Sequence, residues 1–139
     1  MSIAEKKAAL TKIAKGKNIS PAGNAKVRID KWVVHVRYCS PNANAPEKFK
    51  FNINPNTLSA DYELWICGRS AVFYLMPISL MQSIYDNPDT YVDRMHPEIR
   101  VVSVDTHLHT VTYATGGVKS NIEGYLCATL PPCVRIVVA

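Results

Sequence analysis

The sequence predicts an α/β (α+β) fold in a single domain spanning residues 1–139: a central mixed β-sheet flanked by an N-terminal helix and two further helices. Three observations carry this prediction. Residues 2–14 space their apolar side chains helically among lysines, Lys48–Asn54 alternates strictly between polar and apolar residues, and Pro77 heads a second apolar stretch of helical period. A chain of 139 residues can bury an ordinary core, and 47% hydrophobic with 19% charged residues excludes a disordered segment.

The elements follow in order. Ser2 and Glu5 have the spacing of a capping box, Ile3, Leu10, Ile13 and Ala14 share one side of the helix that follows, and Gly16 is its expected stop. Next, Val27 and Ile29 are apolar at odd positions, whereas Trp32, Val34, Val36 and Tyr38 are apolar at even ones. A strand has a period of two, so one buried face cannot hold both sets. A bulge near Asp30-Lys31 would restore the phase and put Lys26, Arg28 and Asp30 on one face with Val33, His35 and Arg37. A turn at Asp30-Lys31, or a strand buried on both faces, are the alternatives.

The Ser40–Pro46 stretch reads as a loop, and Phe49, Phe51 and Ile53 then point inward from a strand whose polar face holds Lys48, Lys50, Asn52 and Asn54. Tyr62–Cys67 and Val72–Met76 read as an antiparallel pair, with Pro77 in the first turn of the second helix. Ile99–Val104 and Leu108–Tyr113 form a second expected hairpin. Ser120 to Glu123 has capping-box spacing and predicts a third helix through Tyr125, Leu126 and Thr129, before a final strand over 134–138.

Charge is unevenly spread along the chain. Residues 1–50 hold eleven Lys or Arg against three acids, while residues 51–139 hold five against eight. A basic half of this kind is a footprint for a polyanion. No apolar run approaches the roughly 20 residues needed to cross a bilayer, and the start lacks the apolar core of a signal peptide. A cytoplasmic location without a membrane partner is the expectation. The four cysteines form no C-x-x-C pair and are expected to be reduced.

The segment Lys26–Cys39, the Phe-rich strand after a loop, Ala60-Asp61-Tyr62 opening an apolar strand, and Tyr74-Leu75-Met76-Pro77 leading into a helix follow one another behind an N-terminal helix. Over roughly residues 2–86 this order resembles the PD-(D/E)XK, or restriction-endonuclease-like, nucleases. The resemblance implies a restriction-endonuclease-like core in which acids on two strands and a lysine position magnesium and the attacking water. Where the family carries an acid or glutamine, one residue and a lysine, this chain has His35-Val36-Arg37. Magnesium prefers carboxylate oxygens, and arginine stays protonated, so the resemblance here implies a scaffold that has lost catalysis.

The expected function is therefore nucleic-acid binding, DNA ahead of RNA, on an inactive scaffold. Lys26, Arg28, Arg37, Lys48 and Lys50 would contact phosphates, with Asn52 and Asn54 as neutral hydrogen-bonders. Two alternatives stay open. One is an active metal-dependent DNA endonuclease with catalytic candidates Asp30, His35, Arg37 and Asp61 and magnesium as cofactor. The other is a small inhibitor or interaction module, of phage or mobile-element type, acting on a nucleic-acid-processing protein.

His107-Leu108-His109 would set two imidazoles on one face of a strand, the geometry of a partial metal site with His96, Asp105 or a cysteine as third ligand. Exposed histidines near a hairpin tip are the plainer reading. Cys127 and Cys133 flank Pro131-Pro132 and are expected as small buried thiols.

Overall fold

The computed structural model describes residues 2–23 and 25–130, with the side chains of Ser2 and Ile3 outside that description. The strand expected over 134–138, Cys133, and the Ser2 hydroxyl of the first capping box thus lie outside the described residues.

Helix α1 spans Ser2–Ala14. Its chain then turns through Lys15 (φ 49°) and Gly16 (φ 81°), and the Lys17 N–H returns to the Ala14 carbonyl at 3.0 Å. A left-handed residue after a helix favours glycine, which is why Gly16 marks the end. Strands β1 (Ile19–Pro21), β2 (Lys26–Ile29), β3 (Trp32–Cys39), β5 (Tyr62–Cys67) and β6 (Phe73–Pro77) form a mixed five-stranded sheet A in the order β1-β2-β3-β5-β6. Only β3 and β5 run parallel. Strands β4 (Lys48–Ile53), β7 (Arg100–Asp105), β8 (Thr110–Ala114) and β9 (Val118–Asn121) form an antiparallel sheet B in the order β4-β7-β8-β9. Helix α2 (Ile78–Asp86) follows β6 directly, and Pro55–Ser59 and Glu123–Tyr125 are short 3-10 turns.

Period-two alternation assigns the side chains of sheet A to two cores. Val34, Val36, Leu64, Ile66, Phe73 and Leu75 face α1 and pack with Ala9 and Ile13, one helical turn apart on α1. Trp65, Cys67, Tyr74 and Met76 face the other way, against Phe49, Phe51, Ile53, Val102 and Val104 of sheet B and Met81 and Ile84 of α2. The Phe51 and Trp65 rings stack at 4.5 Å with an interplanar angle of 20°, joining the sheets.

The expected mixed sheet and leading helix are present, in an α+β arrangement with two sheets and two α-helices among the described residues. Of the readings of the phase shift, the turn at Asp30-Lys31 holds and the bulge does not: Ile29 faces Trp32 across a hairpin whose Asp30 has φ 55°, a conformation that Asp tolerates. Two expectations change. The third helix is absent: Ser120 and Asn121 belong to β9, and only a 3-10 turn follows, because the tight Gly116-Gly117 turn (φ 81° and 75°) brings this segment back onto β8. His107 and His109 lie in the turn between β7 and β8, not on a strand.

Because Phe51 bridges the sheets, Phe51→Ala is expected to destabilise the protein by about 3–4 kcal/mol, measured as a lowered urea midpoint.

Candidate functional site

The β2–β3 hairpin places Lys26 opposite His35 and Arg28 opposite Val33. Cross-strand partners share a face, so Lys26, Arg28, His35 and Arg37 all lie on the face of sheet A that is turned toward sheet B. This grouping was expected from a bulge, and it arises instead from the turn. Asp30 stays at the hairpin tip, exposed.

Parallel pairing then sets Glu63 opposite His35 and Trp65 opposite Arg37. Glu63 is 0% exposed and His35 4%. The Glu63 carboxylate accepts a 2.7 Å hydrogen bond from the Trp65 indole N–H, and the same oxygen lies 3.7 Å from His35 Nδ1. That separation is too long for a hydrogen bond, and it becomes a charge pair only when the imidazole is protonated. Among the described residues, Glu63 Oε2, His35 Nδ1 and Arg37 Nε are buried without a hydrogen-bond partner. Burial pushes the Glu63 carboxyl up, but His35, the Trp65 indole and Thr57 outweigh it and hold the group below the ordinary glutamate range. Burial lowers Arg37 and the Glu63 charge opposes that fall, so the guanidinium remains protonated beside an ionised carboxylate.

His35 and Arg37 open onto a cleft of about 530 Å³ where β2 has ended and β4 passes β3. Lys6 from α1 and Lys50 and Asn52 from β4 complete its polar lining. No Asp or Glu lines this cleft. Four of the residues singled out from the sequence (His35, Arg37, Lys50 and Asn52) therefore meet in one place.

The others do not join them. Lys26 Nζ donates to Ser59 Oγ at 2.8 Å, and Lys48 Nζ lies 3.0 Å from Asp105 Oδ2. Arg28 is exposed on β2. Asn54 caps the first 3-10 turn, its side chain accepting from the Asn56 N–H at 2.9 Å. Asp61 Oδ2 accepts from the Val33 N–H at 2.8 Å, and the Asp61 N–H donates to the Val33 carbonyl at 2.8 Å, so Asp61 clamps the start of β5 to β3. Among the described residues no three His, Cys, Asp or Glu side chains are grouped to hold a metal ion, so Asp30, His35 and Asp61 do not assemble the relocated metal site.

The His107/His109 pair likewise forms no metal group. His109 Nδ1 is 2.9 Å from the Tyr74 hydroxyl, and His107 is exposed. Asp105 Oδ1 accepts from the His107 and Leu108 N–H groups at 2.8 and 2.9 Å, which bends the chain out of the strand. Cys127 is exposed, whereas Cys67 is buried, and burial raises its thiol.

Two members of the cluster were missed from the sequence, Lys6 and Glu63. Glu63 left a signal: it is the one charge in Tyr62–Cys67 and has the same parity as the inward-facing Trp65.

A carboxyl whose folded pKa is depressed adds stability that is present above its unfolded value and is lost as pH falls through the folded one. Glu63→Gln is expected to cost about 3 kcal/mol at pH 7, since it removes a buried carboxylate that accepts from Trp65 and offsets the half-buried Arg37 charge. That gap between wild type and variant should narrow below pH 4.5, as read from urea unfolding at both pH values.

Compared with protein-family models, with curated proteins and with solved structures, the chain finds no match in any of the three.

Proposed function

We propose that this chain binds nucleic acid, DNA ahead of RNA, by holding the phosphate backbone in the cleft of Lys6, His35, Arg37, Lys50 and Asn52, without cutting it. The observation that carries this reading is a cleft between two sheets that gathers three cations, an imidazole and an amide and is lined by no acid. Cations on rigid elements neutralise backbone phosphates at little cost in ordering, and Asn52 adds a neutral hydrogen-bonding group. The charge of the Glu63 carboxylate, one strand away on β5, favours the protonated Arg37 guanidinium.

The restriction-endonuclease-like scaffold belongs to this proposal. It is supported by the order of leading helix, mixed sheet A and the helix after β6; of sheet B, only β4 falls among the residues that carry the resemblance. Loss of cleavage is supported by His35-Val36-Arg37 in place of the acid-and-lysine pair, and by Asp61 being occupied with the Val33 backbone.

Binding of labelled single- and double-stranded DNA and RNA is expected to weaken steeply with salt. Lys6→Ala and Lys50→Ala should each weaken binding about tenfold at low salt, with circular dichroism unchanged. Lys48→Ala, whose charge is already matched by Asp105, should change it less than twofold, an order-of-magnitude expectation for a surface pair. Salt-independent binding, or indifference to both cleft lysines, would refute the reading; cleavage with magnesium would replace it by the endonuclease alternative.

A further inference from the structure

Resting on that reading, we propose that the cleft takes up a proton together with a phosphodiester, the proton residing on His35 with Glu63 as its counter-ion. An imidazole is the side chain whose charge changes between roughly pH 5 and 8. His35 is more than nine-tenths buried on the parallel β3–β5 pair and lines the cleft.

The charged and titratable groups around it come from every neighbouring element. Glu63 on β5 faces it at 3.7 Å, and Arg37 stands two residues along β3. Lys26 is its cross-strand partner on β2, Lys6 on α1 and Lys50 on β4 line the same cleft, and Thr57 of the first 3-10 turn bears on Glu63. Of these groups, the Glu63 carboxylate stands against three cations of the cleft (Lys6, Arg37 and Lys50) and, outside it on β2, Lys26. Protonating His35 in the free protein adds a fifth positive charge to a crowded site. A phosphodiester seated between Arg37 and Lys50 removes that penalty and supplies the imidazolium with a second anion. Glu63 acts through His35 as a positioning residue: its charge holds the imidazolium, and the Trp65 indole holds the carboxylate.

Coupling of this kind is reciprocal, so a bound phosphodiester must favour the protonated imidazole and protonation must tighten binding. The gain is fully present below the free-state midpoint and is lost as pH rises through the bound-state midpoint.

The probe is oligothymidylate without a terminal phosphate, which does not itself titrate between pH 5.5 and 8. At constant ionic strength, wild-type affinity is expected to rise about tenfold from pH 8 to 5.5. His35→Asn should lose that rise, and Glu63→Gln should shift it to lower pH. Since a substitution at either buried position can unfold the chain, the wild-type His35 ring is also titrated by NMR, with and without oligothymidylate. Its midpoint is expected to move up when the probe binds. A pH-dependent rise that persists in His35→Asn, or a His35 midpoint unmoved by bound probe, overturns the proposal while leaving the cleft as a binding site. Absence of binding at every pH removes the cleft reading and this inference together.

Discussion

The parallel pairing of β3 with β5 is the constraint on which the rest of the molecule depends. Two parallel neighbours cannot be joined by a tight turn; the chain must leave and return. Here the returning segment contains β4, which pairs with β7 and becomes the edge of sheet B. The crossover that usually holds a helix thus carries a strand of the opposite sheet, and sheet B is brought against sheet A by covalent necessity. The same register sets Glu63 beside His35 and Trp65 beside Arg37. A shift by one residue would send Glu63 into the apolar core under α1 and Leu64 into the polar cluster.

Burying a carboxylate is costly, and this site shows what offsets the cost. Desolvation is the largest single influence on Glu63, yet a hydrogen bond from Trp65 and the neighbouring imidazole together reverse it. The Lys48–Asp105 contact is geometrically shorter at 3.0 Å, but its lysine is half exposed. Exposed pairs contribute about 0–1 kcal/mol, whereas the Glu63 charge beside His35 is wholly buried.

Much of the secondary structure was legible because it follows local rules. Phe49, Phe51 and Ile53 point inward as their alternation requires, Pro77 precedes α2, and Gly16 follows α1. What failed depended on partners distant in sequence or on competing local signals. Ser120 and Glu123 have capping-box spacing, but the Gly116-Gly117 turn commits Val118–Asn121 to β8, and Asn121, not Ser120, accepts from the Glu123 N–H. His107-Leu108-His109 alternates like a strand, yet the Asp105 side chain turns it. At the cleft, Lys50 and Asn52 were identified by residue type and parity, and His35 and Arg37 by these together with the family resemblance. Glu63 escaped because nothing within Tyr62–Cys67 says which strand lies beside it, and Asp61 misled because its carboxylate serves the backbone.

Strand β4 divides its labour residue by residue: Phe49, Phe51 and Ile53 belong to the core, while Lys48, Lys50 and Asn52 stand outside it. The positions that would choose a ligand are therefore interleaved with, but mechanically separate from, those that keep the sheets together. Drift at Lys50 or Asn52 can alter what the cleft prefers while the fold stays intact. Drift at His35, Arg37 or Glu63 has no such freedom, because each change strands a buried charge or polar atom. A lineage of such chains would be expected to vary its rim and keep its floor, so that specificity evolves one strand-face at a time.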